Sequence, residues 1–221
     1  MLIHVFGAKC IGIDAVRVTV EVDIDRGIGI HLCGLADVAV KGSLLRTITA
    51  LNSLEYKIPG KKIVINLAPA DLRKSGSGYD LPIAVGIVAA SLQRELPRLG
   101  RFLMMGELGL DASLRDIPGA LPIAELAAQE GFAGCILPRR SAMEAVELKG
   151  VDVYGVERFD QVIRILEGEE DCTDLLVRNA RIPARPAQDS APVDFADIVG
   201  QESAKRGVEI AASGGHNVII L

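Results

Sequence analysis

Apolar and polar residues alternate through "VRVTVEVDID", Val16 to Asp25, the period of two that gives a strand one buried face and one wet face. The next stretch, "GIGIHLCGL", continues that alternation between glycines and predicts a second strand, joined to the first by a hairpin at Arg26 and Gly27. The period then changes. After Asp37, a residue suited to cap a helix, Val40, Leu44, Ile48 and Leu51 recur at helical spacing, so a helix should pack on the sheet with Lys41 and Arg46 elsewhere on its surface. "KKIVINLAP" reads as a compact buried strand that Pro69 ends. A Ser/Gly loop follows. The apolar run "IAVGIVAASL" then predicts a helix central to the core, with Asp80 as its cap and Pro82 in its first turn.

Further on, "RFLMMGELGL" reads as a strand, "LPIAELAAQEG" as a helix stopped by Gly131, "CILP" as a strand and "SAMEAVEL" as a helix. "VDVYGV" and "FDQVIRILEG" add a strand and an amphipathic helix. Elements mixed in this order predict an α+β or α/β sandwich over residues 1–168. Residues 169–193 begin acidic and run into "RIPARPAQDSAPV", proline-rich and without apolar period, which predicts a linker. From residue 194, "DFADIVGQESAKRGVEIAASGGHNVIIL" predicts a turn, a helix from about Gln201 to Ala212, a Gly-Gly stop and the strand "NVIIL". A parallel strand needs partners on both sides, so residues 194–221 are expected to be the truncated opening of a larger α/β fold; the alternative is that they add to the sheet of the first domain.

The 221 residues, 49% of them hydrophobic, suffice for one sizeable core and a satellite. Aromatics at 4% and the lack of Trp make that core aliphatic and supply no base-stacking platform. A formal charge of −5 does not advertise nucleic-acid binding, but the charges are unevenly spread. Between Lys41 and Ser75 lie Lys41, Arg46, Lys57, Lys61, Lys62, Arg73 and Lys74 against Glu55 and Asp71, whereas Glu167 to Asp174 is acidic. A solvated face and an anion-binding surface both fit; the second would contact DNA through Lys41, Lys61, Lys62, Arg73 and Lys74. Cys10, Cys33, Cys135 and Cys172 are too widely spaced for a redox pair or zinc knuckle, and His4, His31 and His216 form no ligand cluster, so no metal site is expected. Without a leader pattern or a spanning apolar run, the expected setting is the cytoplasm, with reduced thiols and no membrane partner.

Candidate chemistry centres on "APADLRKSGSGYDLPIAVG", Ala68 to Gly86. Ser75, Gly76, Ser77 and Gly78 precede a helix, where backbone amides could hold a phosphate beside Arg73 and Lys74. The favoured alternative is a tight turn, since Asp80 would occupy the helix end and repel an anion. Ser77 with Lys74 as its base, its pKa lowered by burial, would make a nucleophilic dyad. Glu107 and Asp111 in "GELGLD" could pair as acids or take Mg²⁺, although carboxylates on a strand and its turn are more often solvated.

"GLADVAVKGSLLRTITALNS", "KKIVINLAPADLRKSGSGYDLPIAVGIVAAS" and "GELGLDASLRDIPGALPIAELAAQEGF" resemble the N-terminal region of the ComM/YifB family, and residues 194–221 resemble the opening of the AAA+ module of magnesium-chelatase-like ATPases. The resemblance implies a Lon-protease-like sandwich with the ribosomal protein S5 domain 2 fold, then a linker and an incomplete AAA+ segment. For the full-length protein it implies an ATP-driven, Mg²⁺-dependent homo-oligomer, expected to be a hexameric ring, that acts on DNA in branch migration. In that family the last strand leads into the phosphate-binding loop. No GxxxxGK[ST] occurs in this chain, so it is expected to hydrolyse no ATP and to hold no cofactor of its own. Ile198, Val199 and Gly200 correspond to the part bordering the adenine and could supply a partial wall. Laid on the Lon serine loop, "KSGSGYD" puts Gly78 at the nucleophile and Ser77 one position early, and Pro122 stands where the lysine would fall. The resemblance therefore implies an accessory domain without catalytic residues. An oligomerisation module and a Ser/Lys peptidase are the alternatives.

Overall fold

A computed structural model describes residues 2–168, 172–177 and 194–219. The chain forms two compact units, Met1–Ile182 and Pro183–Leu221. The first contains, in chain order, β1 (Ile3–Ile11), β2 (Asp14–Asp25), β3 (Gly29–Cys33), α1 (Val38–Ser53), β4 (Lys62–Ala68), α2 (Asp80–Ala90), β5 (Phe102–Met104), β6 (Glu107–Leu108), β7 (Leu114–Arg115), α3 (Ala120–Gln129), β8 (Gly134–Pro138), α4 (Arg139–Ala142), β9 (Asp152–Val156) and α5 (Phe159–Glu167). Among the described residues a seven-stranded sheet runs β3-β4-β2-β1-β5-β8-β9, and β6 and β7 form a separate ribbon. Four of the six pairings in the large sheet are parallel, so the architecture is mixed α and β with a mostly parallel sheet.

The apolar alternation of β2 works as expected. Val18, Val20 and Val22 are fully buried, and opposite them in register stand Gly7, Val5 and Ile3 of β1. α2, apolar from Leu81 onward, lies on this face with all eleven of its residues buried. Each large aliphatic side chain enclosed there contributes about 1.5–3 kcal/mol relative to exposure. Gly86 makes the close approach possible: a Cβ there would come within 2.6 Å of Val22 Cγ2. Alternate residues of a strand point to opposite faces. Phe6 and Cys10 accordingly meet Phe132 and Gly119, which flank α3, so α2 and α3 cover opposite faces of β1.

Several expectations need correction. The hairpin at Arg26 and Gly27 does not form, because β4 lies between β2 and β3, antiparallel to the first and parallel to the second. The hairpin partner of β2 is β1, which the alternation did not announce. Asp80 does not cap α2. Tyr79 is the N-cap residue, without a side-chain bond, and Asp80 begins the helix with its carboxylate turned toward α1. Packing also continues past Gly168. Of the expected linker 169–193 only residues 172–177 are described; Cys172, Leu175 and Val177 are buried, and Leu176 bridges to Tyr154 of β9.

In the second unit α6 spans Glu202–Gly214, close to the expected helix, and Gly215 closes it at φ +65°. The expected strand Asn217–Leu221 is not formed over its described residues 217–219, which leave Ile219 85% exposed. An extended segment becomes a strand only through a neighbour's backbone groups, and none stands beside it among the described residues.

Candidate functional site

β1 ends against two loops at once. Lys9 Nζ donates to Ser75 Oγ at 2.5 Å on the loop that enters α2, while the Cys10 thiol donates to the Gly119 carbonyl at 3.7 Å on the loop that enters α3. Between these loops is a cavity of about 300 Å³. Ser75 to Tyr79 wall it on one side and Asp116 to Pro118 with Ile123 on the other; Ala8, Lys9, Cys10 and Met105 complete the lining.

The loop is held by its sequence neighbours in space. Lys74 N–H donates to the Leu35 carbonyl at 2.8 Å, and its own carbonyl accepts from Asp37 N–H at 3.1 Å. Asp37 caps α1 as expected, accepting from Val40 N–H at 2.8 Å, and its second oxygen accepts from Gly76 N–H at 3.3 Å. Gly76 takes φ +88°, which costs a glycine little. One carboxylate therefore fixes both the start of α1 and the bend of the loop.

Beneath the loop sits a buried charge cluster. The Asp80 side chain is fully enclosed and accepts from Ser43 Oγ, from Arg46 Nε at 2.8 Å and Nη2 at 3.0 Å, and from Leu108 N–H at 3.1 Å. Burial holds its carboxyl above the ordinary range against the opposing pull of those donors. The same pair raises Arg46, chiefly through the hydrogen bond to Asp80. Ser43 and Thr47 lie on the buried face of α1 for this reason: both meet Asp80, Thr47 through its main-chain carbonyl.

Each side chain singled out by the sequence now has a place. Lys74 is wholly enclosed, its Nζ donating to the Pro69 carbonyl, and burial lowers its pKa from the ordinary lysine value. It cannot contact DNA, which corrects that expectation. Lys41, Lys61, Lys62 and Arg73 are exposed but do not form one patch. Lys61 and Lys62 open β4, whereas Arg73 follows its other end, about 20 Å away at 3.3 Å per residue. Lys41, in the first turn of α1 and bonded through its N–H to Asp37, belongs with Arg73. Ser77 Oγ donates to the Glu107 carboxylate, which pairs with Arg115 at 3.5 Å. No lysine bonds Ser77 among the described residues, Gly78 is buried against Met105 and Ile117, and Pro122 lies in the first turn of α3. Asp111 binds Ser113 within its turn, which lowers its pKa, and no group of three or more His, Cys, Asp or Glu suited to a metal occurs among the described residues. Ile198, Val199 and Gly200 follow a single 3₁₀ turn, Phe195–Asp197, with Val199 98% exposed.

Lys9, Cys10, Tyr79 and Asp116 were not singled out by the sequence, being ordinary residues in four separate segments. The one signal was the pair of glycine-marked helix entries, of which Gly76 lines the cavity and Gly119 meets Cys10. Burial raises the Cys10 thiol, with Lys9 opposing, and raises the Tyr79 phenol strongly, helped by Cys10 and Asp37.

Residues 20–141 match the family described as subunit ChlI of Mg-chelatase, and residues 194–221 match magnesium chelatase, subunit ChlI. The chain belongs to the Mg-chelatase ChlI family. Within it the chain groups with the YifB and ComM proteins. It is 37% identical over 212 residues to the uncharacterized protein YifB of Salmonella typhimurium, covering 96% of this chain and 40% of that protein. To competence protein ComM of Haemophilus influenzae it is 37% identical over 218 residues, 98% of this chain and 42% of that one. A more distant relative is Lon protease 2 of Bacillus subtilis, 26% identical over 124 residues, 56% of this chain and 22% of that protein. The chain thus spans about two fifths of the length of its ChlI-family relatives. No described helix is long and apolar enough to cross a membrane.

Proposed function

We propose that the chain is the accessory part of a magnesium-chelatase-like ATP-driven motor of the ComM type, working on DNA in the cytoplasm as a ring. Its first unit is a Lon-like sandwich of the ribosomal protein S5 domain 2 kind that has no hydrolytic role. Residues 194–221 begin the AAA+ module, with Ile198, Val199 and Gly200 bordering the nucleotide, and ATP and Mg²⁺ belong to the full-length protein. The observation that carries the reading is the match to ComM through both units, over 98% of the chain. The Ser77–Glu107 bond favours the loss of peptidase chemistry, because a serine that donates to a carboxylate beside Arg115 has no lysine to activate it.

Direct DNA contact, in this reading, runs through Arg73 and Lys41 at one end of β4 or Lys61 and Lys62 at the other. Fluorescence anisotropy with single-stranded, duplex and four-way-junction DNA across a salt series tests it, with the oligomeric state followed in parallel. Affinity that falls steeply with salt supports contact. No binding by a folded, monodisperse sample removes DNA from this part of the motor. The second reading, an assembly module, draws on exposed apolar residues: Val38 and Leu45, two turns apart on α1, are 86% and 72% exposed, and Ile28 beside the edge strand β3 is 87% exposed. Self-association lost on Val38→Lys and Leu45→Lys, without any DNA effect, would favour it.

A further inference from the structure

The cavity at the end of β1 gathers donors that the fold leaves unused. Tyr79 lines it and is 1% exposed, yet its hydroxyl is a buried side-chain polar atom with no hydrogen-bond partner among the described residues. Burying a hydroxyl unpaired is unfavourable, so the position asks for an acceptor from outside. The backbone N–H groups of Ser77, Gly78 and Tyr79 also donate to nothing among the described residues. They stand at the N-terminus of α2, an eleven-residue helix, while the ten-residue α3 starts on the other side of the cavity. The positive end of α2, Lys9 and a phenol therefore converge on one space.

Charge decides what kind of acceptor fits. Asp116 lies on the opposite wall, Asp37 holds Gly76 from behind, and Glu107 accepts from Ser77. Arg115 offsets Glu107, and Asp116 and Asp37 against Lys9 still disfavour a phosphate or another full anion and favour a neutral carbonyl oxygen. Asp116 can in turn accept an N–H. Met105, Ile117, Pro118 and Ile123 offer an apolar wall between the two, and Ile11, Ile13 and Leu121 remain 53%, 88% and 42% exposed on the adjoining hairpin tip and α3 start.

We propose that this cavity is a peptide-binding cleft, which takes the carbonyl, the aliphatic side chain and the N–H of one residue of an extended segment without cleaving it. The inference goes beyond the motor reading and does not depend on it. DNA binding at the exposed basic residues can succeed or fail while the cleft is unaffected.

The test is a titration of the ¹⁵N-labelled 221-residue chain with acetyl-Ala-Leu-Ala-amide, and separately with inorganic phosphate and oligo(dT), followed by amide shifts. The expected result is saturable movement at Ser77, Gly78, Tyr79, Ile117 and Ile123 with the tripeptide alone. Tyr79→Phe should weaken that binding about tenfold while leaving the urea midpoint unchanged or higher, since it removes an unpaired hydroxyl. Asp116→Ala, an exposed substitution, provides a second variant and should weaken binding several-fold. The proposal fails if the tripeptide gives no saturable shift up to about 10 mM. It fails equally if the shifts fall elsewhere, if phosphate or oligo(dT) produces them, or if both variants bind as tightly as the parent.

Discussion

Arg46→Met isolates the buried carboxylate on which the helix pair α1 and α2 is built. Asp80 has no solvent exposure, and Arg46, whose side chain is 29% exposed, supplies two of its four donors. Removing one partner of a buried pair costs about 3–5 kcal/mol, because the other charge is left without compensation. The partial exposure of Arg46 lets water enter the vacated place, which puts the expected loss at about 3 kcal/mol at pH 8. A thioether of similar length fills part of the space, so packing is a small share of that loss.

The pH dependence separates this mechanism from ordinary loss of packing. Burial already holds Asp80 above the ordinary aspartate value, and the hydrogen bond from Arg46 is the first of the opposing influences. A carboxyl raised on folding favours a protonated native state. Its contribution is complete below the unfolded pKa of about 3.9 and is lost as pH rises through the folded value. Without Arg46 the folded value climbs further. The variant should therefore be worst at pH 8 and recover part of its deficit on acidification to about pH 5. Urea unfolding followed by far-ultraviolet circular dichroism reads the effect as a midpoint about 1–2 M lower at pH 8. The double variant Arg46→Met/Asp80→Asn should regain most of the loss. A deficit below about 1 kcal/mol, or one that is the same at both pH values, would refute the reasoning.

Charge reversal at Arg73 and Lys41 and, separately, at Lys61 and Lys62 should not act alike. If DNA lies along one end of β4, only one pair lowers the affinity, and each lost phosphate contact reduces the salt slope by about 0.9, measured by anisotropy. Lys74→Met should leave DNA affinity unchanged, because the amine is enclosed. Its lowered pKa stabilises the native state above the unfolded value of about 10.4 and gives this up as pH falls through the folded value; the stability difference between parent and variant should shift in that window. Gly86→Ala forces a methyl to 2.6 Å from Val22 and should cost about 1–3 kcal/mol in urea unfolding, whereas Gly86→Ala with Val22→Ala should recover part of it.

What the sequence made legible was whatever depends on one segment. The period of two marked β2, the cap at Asp37 and the helical spacing marked α1, and the all-round apolar run marked α2 as central. Partnership was not legible in the same way. β3 follows β2 after three residues, which looks like a hairpin, yet it pairs with β4 some thirty residues on. β1 escaped notice because His4 and Lys9 interrupt its apolar residues on opposite faces and leave no regular alternation. Asp80 before an apolar run looks like a cap, and its burial depends on Ser43 and Arg46, which are 37 and 34 residues earlier. The polar pair Ser43 and Thr47, one turn apart on an otherwise apolar face, was the available signal.

The candidate cleft illustrates the same division at the level of chemistry. Reading the loop alone asks whether Ser77 is a nucleophile, a question about one side chain and one missing lysine. In space the more informative residue is Tyr79, whose hydroxyl no sequence pattern distinguishes from a core phenol. Ser77 spends its proton on Glu107, and Lys9 reaches Ser75 from a different strand. Both serines are thus engaged, while the amides of Ser77, Gly78 and Tyr79 and the phenol remain unmatched among the described residues. A site built for hydrolysis needs an activated nucleophile beside its oxyanion donors. A site that retains the donors and commits its hydroxyls elsewhere can still hold a carbonyl, and binding without cleavage follows from that arrangement.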